Sequence, residues 1–451
     1  MLYTDITNAQ KFAHMFSDRI RWSDNYGGWF IFNEERWSKA DKGHIKNYAI
    51  QCHEKLLEEL QNFTGDDDQL RQFSRHVKAS GANNKLEAML DCAKAYLTID
   101  AEQFDNHDYL FNFKNGTLNF ETRKLKDHNQ NDFITKISNI NFNKNAGCPL
   151  WLKFLDDIFL GREDIIDFMQ RVIGYSMTAS IKEHCLFILY GEGRNGKSIF
   201  INTIAKLMGD YWINCPSTTF VKKSNSSIPN DVAALKGARF VTAIESNQNV
   251  TLDEALIKQM TGGDKITARF LHREYFSFHP TFKIFIATNH KPNIRGTDTG
   301  IWRRIRMIPF DLKVTDAKDD KNLGEKLIEE LPGIALWAAQ GCIKWMNDGL
   351  KTPQTIIDAT CEYKEEEDDL GQFIRDYCVK DAKAFIPVNE FKNRFKDVNS
   401  YYKSQKNIAE YMKRHGFDIG RPYVNGLQIR SWMGLKFLTA HQQTEYEGKE
   451  W

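Results

Sequence analysis

The chain is 451 residues long, enough for two or three domains and for a core that needs no disulfide or metal staple. Charged residues make up 27% and balance to a net charge of +1, so any contact with nucleic acid must come from local basic patches and not from a global field. Eight scattered cysteines without a C-x-x-C pair argue against a zinc module or a secreted disulfide framework, and the absence of a signal-peptide layout or a bilayer-length apolar run reads as a cytoplasmic protein with no membrane partner.

Residues 1–147 read as an α+β domain. Trp22, Trp29 and Trp37 punctuate its start, where WFIF followed by the polar NEER turn predicts a hairpin. A charged helical stretch over about 41–100 follows, interrupted by an acidic loop at Asp66–Asp68. With no apolar strand to aim them, those carboxylates read as a solvated turn and not a metal site. LFNFKNGTLNF predicts a second hairpin across Asn115-Gly116. The tryptophans read as core and not as base-stacking platforms.

A helical segment from Cys148 leads into the most informative stretch, CLFILYGEGRNGKSIFIN at 185–202. An apolar strand breaks into a turn, Gly191-Glu192-Gly193-Arg194-Asn195-Gly196, and Lys197-Ser198 opens an apolar-periodic helix. This is G-x-x-x-x-G-K-S with a strand before it and a helix after it. Glycines let backbone N–H groups point inward around phosphate oxygens at a helix N-terminus. Lys197 would reach the β- and γ-phosphates, and the Ser198 hydroxyl would ligate Mg²⁺. A chance glycine turn with a surface lysine rarely has this context. A nucleoside triphosphate, taken here as ATP, is the expected ligand.

Beyond the loop, Ala238–Ile244, Phe282–Thr288 and Ile305–Phe310 read as strands alternating with helices. That predicts an α/β domain over 148–361, a largely parallel sheet with ligands at the carboxyl ends of its strands. Glu245 and Asn289 stand at two such ends. Between them, Lys265–His279 predicts a β-hairpin with Lys265, Thr267 and Arg269 on one polar face and His272-Arg273 at its tip. The run EYKEEEDD at 362–369 reads as a charged connector. Residues 380–414 carry nine Lys/Arg against four Asp/Glu, and 417–438 alternate like a hairpin. Residues 362–451 are therefore expected to form a winged-helix-like DNA-binding domain.

Three stretches together resemble the superfamily 3 helicases of viruses and mobile elements: GEGRNGKS, LDEALIKQMTGGDKITARFLHREYFSFHP running into FKIFIATNHKPNI, and GIWRRIRMIPF. The likeness is strongest to the helicase part of satellite-phage and poxvirus-type primase-helicases. It runs from about residue 20 to about 438. The acidic motif departs from the family, ending Ile-Glu-Ser, so that Glu245 alone stands where the family often shows two carboxylates. The stretch before the helicase is too short for a polymerase domain, so primase activity is not implied.

The resemblance implies an AAA+ fold and an ATP-dependent hexameric DNA helicase, moving 3′→5′, that replicates a phage or mobile element in a bacterial cytoplasm. A primase or other replication protein is the implied partner. Glu245 would polarise the attacking water and help hold Mg²⁺, and Asn289 would sense the γ-phosphate. An arginine of the Arg303-Arg304 pair would serve the neighbouring subunit, with Arg304 preferred and Arg303 second. Lys265, Arg269, His272 and Arg273 would grip single-stranded DNA in a central channel. Two other classes fit the same motifs: an origin-binding initiator whose ATP site licenses assembly on duplex DNA, and an AAA+ machine that remodels protein.

Overall fold

The computed structural model describes residues 3–222, 230–245, 250–269, 276–294, 299–313, 320–399 and 405–438. At its centre lies a five-stranded sheet of β1 (Leu186–Tyr190), β2 (Trp212–Cys215), β3 (Phe240–Glu245), β4 (Lys283–Thr288) and β5 (Ile305–Pro309). Their order is β5-β1-β4-β3-β2, and every neighbouring pair is parallel. A parallel sheet is covered on both faces by its crossovers, which is why LFILY and IRMIP are nearly unbroken apolar runs.

Successive residues of each strand enter opposite cores. Phe187, Leu189, Phe285, Ala287 and Ile308 pack with α1 (Pro149–Ile158), α2 (Glu163–Ser176), α3 (Lys197–Met208) and α5 (Leu331–Asp348). Leu186, Ile188, Val241, Ala243, Ile284 and Ile286 pack on the other side, against α4 (Glu254–Gly262) and α6 (Gln354–Glu366). The carboxyl ends of β1, β3 and β4 thus meet along one edge, with the root of α3 beside them.

The N-terminal region is α+β. A helix over Asp5–Phe16 starts from a reciprocal cap between Thr4 and Thr7, and strands Ile20–Ser23, Gly28–Phe32 and Trp37–Lys39 form an antiparallel meander. Trp29 and Trp37 are buried, as expected for core residues. Asp66 caps the helix Asp67–Ser80, and Asp67 and Asp68 occupy its first turn, where carboxylates favour the helix dipole. The second hairpin turns one residue earlier than predicted. Phe113 pairs with Gly116, so the two loop residues are Lys114 and Asn115.

Two buried cations tie the sheet to its surroundings, and the first of them reaches the N-terminal region. The Arg239 guanidinium, just before β3, donates to the carbonyls of Leu110, Met177 and His107. At the start of β4, Lys283 Nζ donates to the carbonyls of Thr178 and Ser180. Burial lowers the pKa of both groups, and the carbonyl dipoles supply the hydrogen bonds that such desolvated cations require.

The acidic run 362–369 is not a linker. Its first half completes α6, and Asp368 caps the next helix, Asp369–Tyr377, by accepting from the Gly371 N–H. Helices Val388–Asn399 and Gln405–Arg414 follow. Strand Ser431–Phe437 pairs antiparallel with Cys378–Pro387 on one side and Ile419–Gly420 on the other, and a small ribbon joins Tyr423–Val424 to Leu427–Gln428. Among the described residues, no helix is long and apolar enough to cross a membrane. Cys52, Cys148, Cys185, Cys215, Cys342 and Cys378 are buried free thiols.

Candidate functional site

The loop between β1 and α3 takes its shape from its own side chains. Gly196, immediately before α3, has φ +86°, a left-handed conformation that side chains rarely adopt, and a Cβ there would lie 2.6 Å from Ile158 Cγ2. At Gly191 a Cβ would meet the Phe310 carbonyl oxygen at 2.3 Å. That carbonyl also accepts from Asn195 Nδ2 at 3.1 Å, so the residue after β5 braces the loop. Asn195 is 3% exposed, and its Oδ1 faces Lys197 Nζ at 3.1 Å. Sequence reasoning marked Asn195 only as a loop member; its bracing contact depends on β5 lying beside β1.

Lys197 is 7% exposed. Its ammonium donates to the carbonyls of Gly191 and Glu192 and to Asn289 Oδ1, the last at 3.1 Å. Burial lowers its pKa to about 8. Asn289 follows β4, and Thr288 locks the turn behind it: the hydroxyl donates to the His290 carbonyl and accepts from the His290 N–H. The expected sensor therefore sits in direct contact with the phosphate-loop lysine.

Gly193, Arg194, Asn195, Gly196, Lys197 and Ser198 share one cleft of about 520 Å³ with Glu245 and Asn289. Ser198 is exposed, whereas Glu245 is 5% exposed. Beside it, Ile244 is 58% exposed and opens into the cleft. A second opening, of about 710 Å³, flanks the loop through Arg194 and Gly196 and is walled by Phe154, Ile158, Leu160 and Leu312. Glu192 lies on the outer surface, paired with Lys313 at 2.8 Å, where both are 76% exposed.

Among the described residues, no cluster of three or more His, Cys, Asp or Glu forms a ready-made metal cage. The residues present nevertheless fit Mg²⁺ held largely by phosphate oxygens and water, which needs only a hydroxyl and one carboxylate from the protein.

The two arginines of the pair have different surroundings. Both residues lie in the turn before β5, not on the strand. Arg304 is 9% exposed; its Nε donates to Thr261 Oγ1 at 3.0 Å and its Nη1 to the Gly300 carbonyl at 2.6 Å. Arg303 is exposed. Of the two guanidinium groups, Arg303 is therefore the more accessible and Arg304 is engaged within its own chain. The turn sits beside Leu186, whose N–H donates to the Arg304 carbonyl at 2.8 Å, so it lies at the opposite end of the sheet from the phosphate loop.

The hairpin forms between Ile266–Ala268 and Phe276–Phe278. Ile266 and Ala268 are buried, while Lys265, Thr267 and Arg269 are exposed, matching the expected polar face. Lys265 pairs with Glu102 of the N-terminal region at 3.3 Å. His272 and Arg273 lie outside the described residues.

Two family models match the chain: a "D5 N terminal like" family over residues 9–160 and a "Family of unknown function (DUF5906)" over 189–304. A protein of Acanthamoeba polyphaga mimivirus named "Putative helicase" is 25% identical over 419 residues, covering 84% of this chain and 43% of that protein. A "Putative primase" of African swine fever virus is 26% identical over 343 residues, covering 70% of this chain and 35% of its own length. A "Putative helicase" of Frog virus 3 is 28% identical over 233 residues, 47% of this chain and 24% of that one. The chain thus spans less than half the length of these curated relatives. Among solved structures, the apo NrS-1 C-terminal region superposes with a TM-score of 0.51 at 11% identity, covering 92% of this chain and 95% of that one. That match carries the fold, and the viral relatives carry the homology. The resemblance borne by the phosphate loop, the sensor stretch and the arginine turn thus finds homologues among viral proteins named putative helicases and primases, with a D5 N terminal like region ahead of the phosphate-loop domain.

Proposed function

We propose that the chain is an ATP-hydrolysing DNA helicase that serves replication of a virus-like or mobile element. The observation that carries this reading is the contact of Asn289 with Lys197 inside the cleft that also holds Glu245. ATP hydrolysis needs the γ-phosphate held, its charge neutralised and a water aimed in line. Lys197 and the loop N–H groups hold the phosphates. Glu245 accepts a proton from the attacking water, and Asn289 orients that water while contacting the γ-phosphate. Ser198 and Glu245 would hold Mg²⁺, which supplies charge neutralisation on the phosphate oxygens. The apolar walls of the flanking opening suit a nucleobase.

Action in trans is assigned to Arg303, the more exposed arginine of the pair. Four residue steps of β5, roughly 13 Å at about 3.3 Å each, separate it from the strand end beside the phosphate loop, so a guanidinium there suits the site of an adjoining subunit. A hexameric ring, 3′→5′ travel and a channel-facing hairpin complete the reading on the family resemblance. The order helix, strand, two helices, strand, ribbon, strand over 369–437 supports a winged-helix-like duplex-binding module. The test is ATPase and strand displacement measured together on the ring fraction from a sizing column, with and without single-stranded DNA. DNA-stimulated hydrolysis with displacement is expected. Hydrolysis with duplex binding but no displacement would instead identify an origin-binding initiator.

A further inference from the structure

The loop that carries Asn289 is held from outside by the acidic end of α6. Lys291 Nζ meets both carboxylate oxygens of Glu366 at 2.7 Å. The Pro292 carbonyl accepts from the Tyr363 hydroxyl, and the Ile294 N–H donates to Glu367 Oε2 at 2.7 Å. Tyr363, Glu366 and Glu367 are spaced i, i+3, i+4, so one face of the helix reaches three residues of the loop. One turn earlier on that face, Thr360 Oγ1 accepts from the Met307 N–H at 3.1 Å, which fixes the helix to β5. The loop's far end is tied as well, because the Asn293 N–H donates to the Val250 carbonyl at 2.7 Å.

Lys291 joins this clamp to the phosphate loop. Its ammonium lies 5.2 Å from the centre of the Tyr190 ring, and Tyr190 is the residue immediately before Gly191. A cation over an aromatic face is attracted by the ring quadrupole. Lys291 is 20% exposed and Glu366 47%, and an ion pair at that exposure contributes little to stability. What three contacts on consecutive parts of one short loop do supply is position. A displacement of about 1 Å at a group that aims a reacting water costs on the order of a hundredfold in rate.

We propose that Lys291, Glu366 and Glu367 are positioning residues that fix Asn289 against Lys197 and the γ-phosphate, with α6 as the strut. This rests on the ATPase reading above. The test uses the full chain and compares Lys291→Met, Lys291→Arg, Glu366→Gln and the reversed pair Lys291→Glu with Glu366→Lys. Lys291→Met should lower kcat about tenfold and leave affinity for a fluorescent ATP analogue within about threefold, because the phosphate loop itself is intact. Lys291→Arg should retain most of the rate, and the reversed pair should exceed the product of its two single variants. A merely structural role would move the thermal midpoint and analogue affinity together, with the reversed pair restoring both, and would leave kcat at saturating nucleotide near wild type. Wild-type kcat in Lys291→Met, or a reversed pair no better than that product, overturns the clamp. Absence of hydrolysis in the wild-type ring would overturn the ATPase reading instead, so the two failures are distinguishable.

Discussion

Asn289 Oδ1 lies 3.1 Å from Lys197 Nζ, although the two residues are ninety-two positions apart. The contact exists because β4 is inserted beside β1 in register, Thr288 opposite Tyr190, so both following loops emerge at one edge. Lys197→Ala should abolish both nucleotide binding and hydrolysis. Asn289→Ala should keep binding and lose most hydrolysis. Glu245→Gln should likewise bind ATP but turn over roughly 10²-fold more slowly, the scale for losing a general base. Equilibrium binding of a fluorescent analogue beside steady-state ATPase separates the three, and wild-type turnover in any of them would remove that residue from the site.

Burial lowers the Lys197 ammonium to about 8, so nucleotide affinity should depend on pH where a surface lysine would be indifferent. Bound phosphates favour the charged form, and binding must therefore take up a proton once the free lysine has lost its own. Affinity should hold below pH 8 and fall above it, approaching tenfold per pH unit for a single proton. Stability of the free protein runs the other way. The unfolded lysine stays protonated to about 10.4, so between about 8 and 10.4 the unfolded state binds more protons, and the desolvation cost in the fold is relieved as pH rises. Titrations of the analogue from pH 7 to 9.5 check this. A flat affinity profile would mean that Lys197 is fully charged throughout.

Arg303 and Arg304 should separate cleanly. Rings mixed from Arg303→Ala and Lys197→Ala subunits should recover ATPase, since some interfaces then combine an intact loop with an intact arginine. Arg304→Ala should instead lower stability by about 1–3 kcal/mol, because Thr261 and the Gly300 carbonyl lose a buried donor. Denaturation midpoints and mixing experiments on the same preparations decide between them. Recovery with Arg304→Ala but not with Arg303→Ala would reverse the assignment.

Which parts were legible in the sequence follows from how local each signal is. The phosphate loop, the strands at 240–245, 283–288 and 305–309, and the 266–278 hairpin each declare themselves within a dozen residues. Period-two burial and a G-x-x-x-x-G-K-S turn need no distant partner. The burial of Arg304 is not legible in the sequence because one of its acceptors, Thr261, lies forty-three residues upstream. The acidic run at 362–369 read as a connector because its partners, Lys291 and the Ile294 N–H, lie about seventy residues upstream. Charge count alone cannot tell a solvated run from a helix end that has found a loop to hold. Arg239 and Lys283 passed unnoticed for the same reason: carbonyl oxygens, which satisfy them, leave no mark in a sequence.

The C-terminal module should bind duplex DNA mainly through phosphates. Its helices over 388–399 and 405–414 carry most of the basic run, and Lys413 and Arg414 sit in the last turn of the second. Duplex affinity should fall steeply with salt, with a log–log slope set by the number of phosphates neutralised. Deleting residues 370–451 should weaken duplex binding yet leave ATP hydrolysis. Salt-insensitive duplex affinity, or affinity unchanged by the deletion, would make the region a brace for the ring.

On the helicase reading, the hairpin is the element that would link hydrolysis to movement. It lies between Glu245 at the end of β3 and Asn289 after β4, so loss of the γ-phosphate should shift its base and carry its tip. Ile266 and Ala268 anchor the base in the core, which leaves Lys265 and Arg269 on the outer face. The Lys265–Glu102 pair, at 52% and 60% exposure, is weak enough to be exchanged for a DNA phosphate. His272 and Arg273 would supply the grip at the tip. Replacing both by alanine should leave basal ATPase near wild type, while unwinding and DNA-stimulated ATPase collapse. Lys265→Ala should weaken single-stranded DNA binding and flatten its salt dependence by about one phosphate contact. Glu102→Gln frees the same ammonium and should tighten binding. If Glu102→Gln weakens it, Lys265 serves the N-terminal region and not the channel. Intact unwinding with lost basal hydrolysis in the double tip variant would place the hairpin at the nucleotide site.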